Sequence, residues 1–300
     1  MTIATGARSQ LTYVPETVWG TTPAAPAMVG VPYTAWNVNL TKEAFSDMSI
    51  RADRMERYSL HGNKSVSGDL DVNLSHTNFD VFLESALNST FNTNVLKSGT
   101  TRKSLSIEAG SLDIGQYTVY KGVVVDKVAI TVPSSGIVTA KFSLMGADST
   151  ISASPLDATI TEPSAKAPYT HVAGTFNEGG SPIATLTGVT LNIDNGYGAN
   201  YSLGNTVARD LTYGFAKVTG TATAYFEDAA LVNKFINGTA SSLDFTLTDG
   251  TNTLKFDLSN IKYTGATKQV SGQGPIVLNL PFTALYDGTD ASHIVITRSV

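Results

Sequence analysis

RYSLHGNKSVSGDLDVNLSHTNFDVFL at residues 57–83 and RDLTYGFAKVTGTATAYFEDAALVNKF at residues 209–235 are two versions of one pattern. Arg57 aligns with Arg209, Gly62 with Gly214, Val66 with Val218 and Gly68 with Gly220, all at an offset of 152 positions. Each stretch begins by alternating apolar and polar residues, the period of a strand with one buried face. Each then changes period. Phe79, Phe82, Leu83, Ala86 and Leu87 follow helical spacing in the first, and Leu231 and Phe235 do so in the second, which stops at Asn237-Gly238.

The likeness spreads outward from these segments. Trp36-Asn37-Val38-Asn39-Leu40 resembles Val189-Thr190-Leu191-Asn192-Ile193, and Leu105 and Ile107 match Leu243 and Phe245. SSGIVTAKFSLMG from Ser134 mirrors GQGPIVLNLPFTA from Gly272. In this last stretch the offset is 138, so the first copy carries about 14 extra residues near Asn88 to Lys103. Each copy reads as strand, long connection, strand, one short helix, then three strands. The expected fold class is all-β with minor α: two tandem β-sandwich or split-barrel units, each with one short helix.

Residues 1–30 read as an extended N-terminal arm, because Pro15, Pro23 and Pro26 interrupt ladder pairing. Leu11, Tyr13, Val14, Val18 and Trp19 are too apolar for a solvated tail, so the arm needs a surface to lie on. Residues 31–150 form the first β-unit. Residues 151–184, with Pro155, Pro163, Pro168 and Pro182, read as a linker or covering loop. Residues 185–300 form the second unit, ending in a strand within SHIVITRSV from Ser292.

Composition supports this reading. Hydrophobic residues make up 42% but charged residues only 15%, below the usual quarter, which points to surface that something else covers. The net charge of −5 argues against a nucleic-acid-binding surface. There is no cysteine, hence no disulfide framework and no thiolate metal site. Residues 1–30 hold no apolar signal core, and no apolar run approaches the ~20 residues of a membrane span, so the chain reads as soluble, not exported and not membrane-inserted.

No catalytic, cofactor or metal constellation emerges. His61, His76, His171 and His293 carry no metal-ligand spacing and read as isolated surface or turn residues. Gly196-Tyr197-Gly198 after Asn195 reads as a tight turn. Asp287-Gly288-Thr289-Asp290 reads as an Asx turn rather than a calcium loop. Asp69 and Asp71, two apart, share a strand face, and their counterparts are Thr221 and Thr223. RADRMER, residues 51–57, interleaves acids with Arg51, Arg54 and Arg57, the composition of a solvated loop or a subunit boundary rather than a phosphate site.

The opening run Gly6-Ala7-Arg8-Ser9-Gln10-Leu11-Thr12-Tyr13-Val14-Pro15-Glu16-Thr17-Val18-Trp19-Gly20-Thr21-Thr22-Pro23 resembles the start of tail tube proteins of long, non-contractile bacteriophage tails. The resemblance implies a structural, non-enzymatic virion protein, assembled in the host cytoplasm, whose rings stack into a hollow tube through which DNA is ejected. With two β-units per chain, a pseudo-sixfold trimer is expected over a hexamer. Implied partners are the subunit itself, a tape-measure protein, tail terminator and distal tail proteins, and transiting DNA without specific binding. Asp69, Asp71, Asn73, Thr221, Thr223 and Tyr225 are expected to line an acidic lumen. Arg8, Tyr13, Glu16, Trp19, Arg51, Arg54 and Arg57 are expected at contacts between subunits or rings. The alternative is another β-sandwich virion or binding module, of adhesin or carbohydrate-binding type.

Overall fold

Two offsets, 152 and 138, predict that strands which pair in the first half pair in the same register in the second. A computed structural model describes residues 3–172, 174–183, 185–270 and 272–299 and shows this. Gly68 lies opposite Leu144, and Gly220 opposite Phe282. Leu70 faces Phe142 as Ala222 faces Leu280, and Trp36 faces Leu70 as Val189 faces Ala222.

The chain is all-β with minor α. Among the described residues, one broad sheet takes four strands from each half. In spatial order they are Asn39–Ser46, Ser59–Asn73, Thr139–Gly146 and the C-terminal half of Gln116–Val132, then Leu186–Asp194, Lys217–Tyr225, Val277–Ala284 and Thr267–Gln269. The halves meet edge to edge, where Val132 lies opposite Val189 and Lys127 opposite Asp194. Every second residue of Thr139–Gly146, Lys217–Tyr225 and Val277–Ala284 is buried, so one face packs inward and the other stays open.

A second layer covers the packed face. Ser9–Pro15, Leu105–Ser111, the N-terminal half of Gln116–Val132 and Asp148–Ser152 form it in the first half. Gly174–Glu178, Ser241–Thr248, Thr253–Tyr263 and Val295–Arg298 form it in the second. Aromatic stacks fill the space between the layers: Phe82 lies 5.4 Å from both Tyr13 and Phe142, and Phe245 lies 4.9 Å from Phe256. Helix α1 (Asp80–Leu87) buries Phe82, Leu83, Ala86 and Leu87 against this core. Its C-cap Asn88 takes the left-handed conformation, one that asparagine tolerates. Helix α2 (Ala230–Ile236) buries no residue fully.

Two expectations need correction. Residues 9–15, expected within an extended arm rather than a strand, are a core strand with Leu11, Tyr13 and Val14 buried, paired along its length with Leu105–Ser111. Pro15 sits at the strand's last position, where a missing N–H interrupts nothing downstream. Within the expected linker, Gly174–Glu178 is likewise a strand, with Phe176 opposite Phe245 just as Tyr13 is opposite Ile107. The limits 1, 184 and 300 of the expected segments lie outside the described residues. The extra residues near Asn88 to Lys103 supply the strand Val95–Lys97, which pairs with Val295–Arg298 and so ties the chain's last strand back to its first half.

Candidate assembly surfaces

Strand alternation places Asp69, Asp71 and Asn73 on the open face, between the buried Leu70 and Val72. Thr221, Thr223 and Tyr225 stand on the same face, between the buried Ala222 and Ala224. The face is not acidic, and this corrects the expectation. Following the ladder from Asp71, one meets Lys141, Ala129, Asn192, Thr219, Thr283 and Lys262 in turn. The Lys141 ammonium lies 3.0 Å from Asp69, and Lys127 lies 2.9 Å from Asp194. The Ser143 hydroxyl donates to Asp69 at 2.6 Å and, together with Lys141, holds its carboxyl below the usual range. Three aspartates (69, 71 and 194) thus share the face with four lysines (127, 141, 217 and 262) amid hydroxyls and amides. The lysines were missed because they sit on strands distant in sequence, which only the register brings opposite the acids.

The open face ends in two free edges. Along Ala35–Trp36 and Asn39–Ser46, backbone pairing among the described residues is to Ser59–Asn73 alone, and along Thr267–Gln269 it is to Val277–Ala284 alone. Beyond the sheet, Asn39–Ser46 and the start of Ser59–Asn73 continue as a hairpin closed by Ser46 opposite Ser59. Its tip, residues 47–58, carries Arg51, Arg54 and Arg57. Arg51 pairs with Asp47 at 3.2 Å and Arg57 with Asp53 at 2.5 Å, while Arg54 has no acidic partner among the described residues. Phe45, Met48, Ile50, Met55, Tyr58 and Leu60 are all exposed around them. Sequence reading singled out the arginines and passed over these apolar residues. So many on one projection exceed the scattered exposure of an ordinary surface.

The remaining expected contact residues serve mostly inside the chain. Tyr13 is buried against Phe82. The Glu16 carboxylate accepts four hydrogen bonds: from the Gly20 and Gly122 amides at 2.8 Å, the Ser104 hydroxyl at 2.8 Å and the Ser106 hydroxyl at 2.7 Å. The Trp19 indole donates to the Gly122 carbonyl at 3.2 Å, and the Arg102 guanidinium lies over its ring. The motif around Glu16 therefore fastens the first strand to the sheet behind it, and of the opening segment's candidates Arg8 alone stays exposed. Glu16→Gln would turn an amide group toward these donors. It should cost about 2 kcal/mol of stability, read as a lower urea midpoint, whereas an unchanged midpoint would show that the cage contributes nothing.

The other motifs resolve as local structure. Asp287 accepts from the Thr289 and Asp290 amides at 2.8 and 3.0 Å, forming an Asx turn. His76 is buried rather than on the surface, with Nδ1 3.0 Å from the Tyr169 hydroxyl. The Asn195 side chain donates to the carbonyls of Ala86 and Val125 at 2.8 and 3.1 Å, and the Tyr197 hydroxyl donates to Asn88 at 2.7 Å. This turn clamps the second half onto the end of helix α1 in the first.

The two-layered β-fold thus presents an open polar face, two edges unpaired among the described residues and an exposed apolar hairpin. The chain matches the family model for phage tail tube proteins over residues 6–284 and belongs to that family. It is a structural component of the virion's tail tube. Comparison with curated proteins finds no match.

Proposed function

We propose that the chain is a duplicated tube subunit, three copies of which close into a pseudo-sixfold ring. The observation that carries this reading is the broad sheet: it already runs unbroken from the first half into the second through the 127–132 and 189–194 seam. Each half is one unit, the first beginning with Ser9–Pro15 and the second with Gly174–Glu178. Repeating that seam between chains removes both free edges and closes a barrel. The open face, with Asp69, Asp71, Asn73, Thr221, Thr223 and Tyr225, then lines the channel. Its balanced charge and many hydroxyl and amide groups give phosphate no continuous basic track, so DNA passes without being held.

Rings stack through the hairpin tip, where Arg51, Arg54, Arg57 and the exposed apolar side chains meet the neighbouring ring. The chain acts as a passive conduit with no enzymatic role. It assembles in the host cytoplasm around a tape-measure protein and is closed by terminator and distal tail proteins. Negative-stain microscopy and native mass spectrometry of the purified protein test the proposal. Hollow tubes and rings of three chains are expected. Rings of six chains would overturn the trimer, and a protein that stays monomeric at high concentration, even with a tape-measure fragment, would overturn the tube subunit.

A further inference from the structure

This inference rests on the ring reading above and specifies how the ring closes. We propose that residues 36–41 of one subunit pair antiparallel with residues 265–270 of the next, with Trp36 opposite Val270, Asn39 opposite Thr267 and Thr41 opposite Gly265. The seam inside the chain supplies the template. There Val189 lies opposite Val132, Asn192 opposite Ala129 and Asp194 opposite Lys127.

Each side of that seam has an equivalent at a free edge. Val189 and Trp36 occupy the same ladder position, opposite Ala222 and Leu70, as do Ile193 and Leu40, opposite Val218 and Val66. On the other side, Ile130 opposite Ala140 corresponds to Lys268 opposite Leu278, and Val125 opposite Leu144 to Tyr263 opposite Phe282. Replacing each seam residue by its equivalent yields the proposed register. Neither segment contains proline, so every residue can take part in the ladder.

Equivalent residues also differ in exposure where one has a neighbour and the other lacks it. Val132, within the seam, is 3% exposed, whereas Val270 at the free edge is 69% exposed. A second copy seated on the free edge covers Val270, as Val189 of the chain's own second half pairs over Val132.

The absence of cysteine makes disulfide trapping clean. Asn39→Cys with Thr267→Cys places thiols at the positions of the facing Asn192 and Ala129. Ala129→Cys with Asn192→Cys is the reference, and Asn39→Cys with Gln269→Cys is out of register. After assembly and oxidation, the first pair should give a covalent ladder ending at a trimer. The reference should lock only within the monomer, and the third pair should give no ladder. Tubes that form without a ladder from the first pair, or with one from the third, would overturn the register while leaving the tube reading intact. Absence of rings and tubes from the unmodified protein would instead remove that reading, and the register with it. Should the double variant not assemble, hydrogen exchange on unmodified protein decides. Amides of 36–41 and 265–270 should exchange roughly tenfold or more slowly in tubes than in free subunits, and equal rates would refute the pairing.

Discussion

Replacing residues 47–58 by Asn-Gly should yield a folded subunit that no longer grows into tubes. Ser46 and Ser59 already close the hairpin as a facing pair, and Asn-Gly makes the two-residue turn that suits antiparallel strands. The excised residues contribute nothing to the core, since none of them is buried. The cut removes Met48, Ile50, Met55 and Tyr58, which expose their side chains to water in the free subunit. Burial of each such apolar side chain against a neighbouring ring would stabilise stacking by about 1.5–3 kcal/mol, so their joint loss should be decisive. The three arginines add orientation more than affinity, because Arg51 and Arg57 are already paired within the loop. Thermal melting should be nearly unchanged, while microscopy shows single rings or subunits. Tubes of ordinary length from the shortened chain would refute the stacking role.

Gly68→Ala should have the larger effect on the subunit itself. Gly68 has φ +151°, and a Cβ there would lie 2.5 Å from Val38 Cα, 2.6 Å from the Asn37 carbonyl oxygen and 2.8 Å from the Val38 nitrogen. All three are backbone atoms of the edge segment that crosses this point between Ala35–Trp36 and Asn39–Ser46. No rotamer change can relieve the clash, so the edge must lift away from the sheet. Strain and lost packing together should cost about 3 kcal/mol and distort residues 36–41, the edge proposed above to close the ring. Gly198→Ala, with no atom within 4 Å of its Cβ, serves as the control and should stay within about 0.5 kcal/mol. Equal stability of the two variants would show that the close approach at Gly68 is not a constraint.

That same glycine explains why so much of the fold was legible. Gly68 and Gly220 align because both sit where a neighbouring element leaves no room for a side chain. At Gly220, a Cβ would meet the Thr190 carbonyl oxygen at 2.3 Å and Phe282 at 2.4 Å. Steric exclusion of this kind survives divergence, and it leaves a mark at fixed spacing. The alternation around each glycine then assigned Asp69, Asp71, Thr221 and Thr223 to one face.

Pairings between segments far apart in sequence were not legible. Ser9–Pro15 is a short strand that ends in a proline, and its partner Leu105–Ser111 lies some ninety residues further along the chain. Nothing local distinguishes it from an arm. Glu16 and Trp19 were expected at contacts between subunits or rings, and their partners within the chain at Ser104, Ser106 and Gly122 were not legible because those lie far away in sequence. The balance of lysine against aspartate on the open face was hidden for the same reason. It exists only across strands.

The seam between residues 127–132 and 189–194 bears on the kinetics of growth. A strand pair held within one chain forms by a first-order step, at a rate independent of how much protein is present. Of the two kinds of seam around a three-chain ring, only the one between chains then awaits an encounter. The slowest event in starting a tube would therefore scale with about the third power of subunit concentration, where single-unit subunits would impose about the sixth. Nuclei would form at dilutions where an undivided set of six could not gather. Once the seam within the chain has set in register, it also cannot be mispaired by the arrival of the wrong edge.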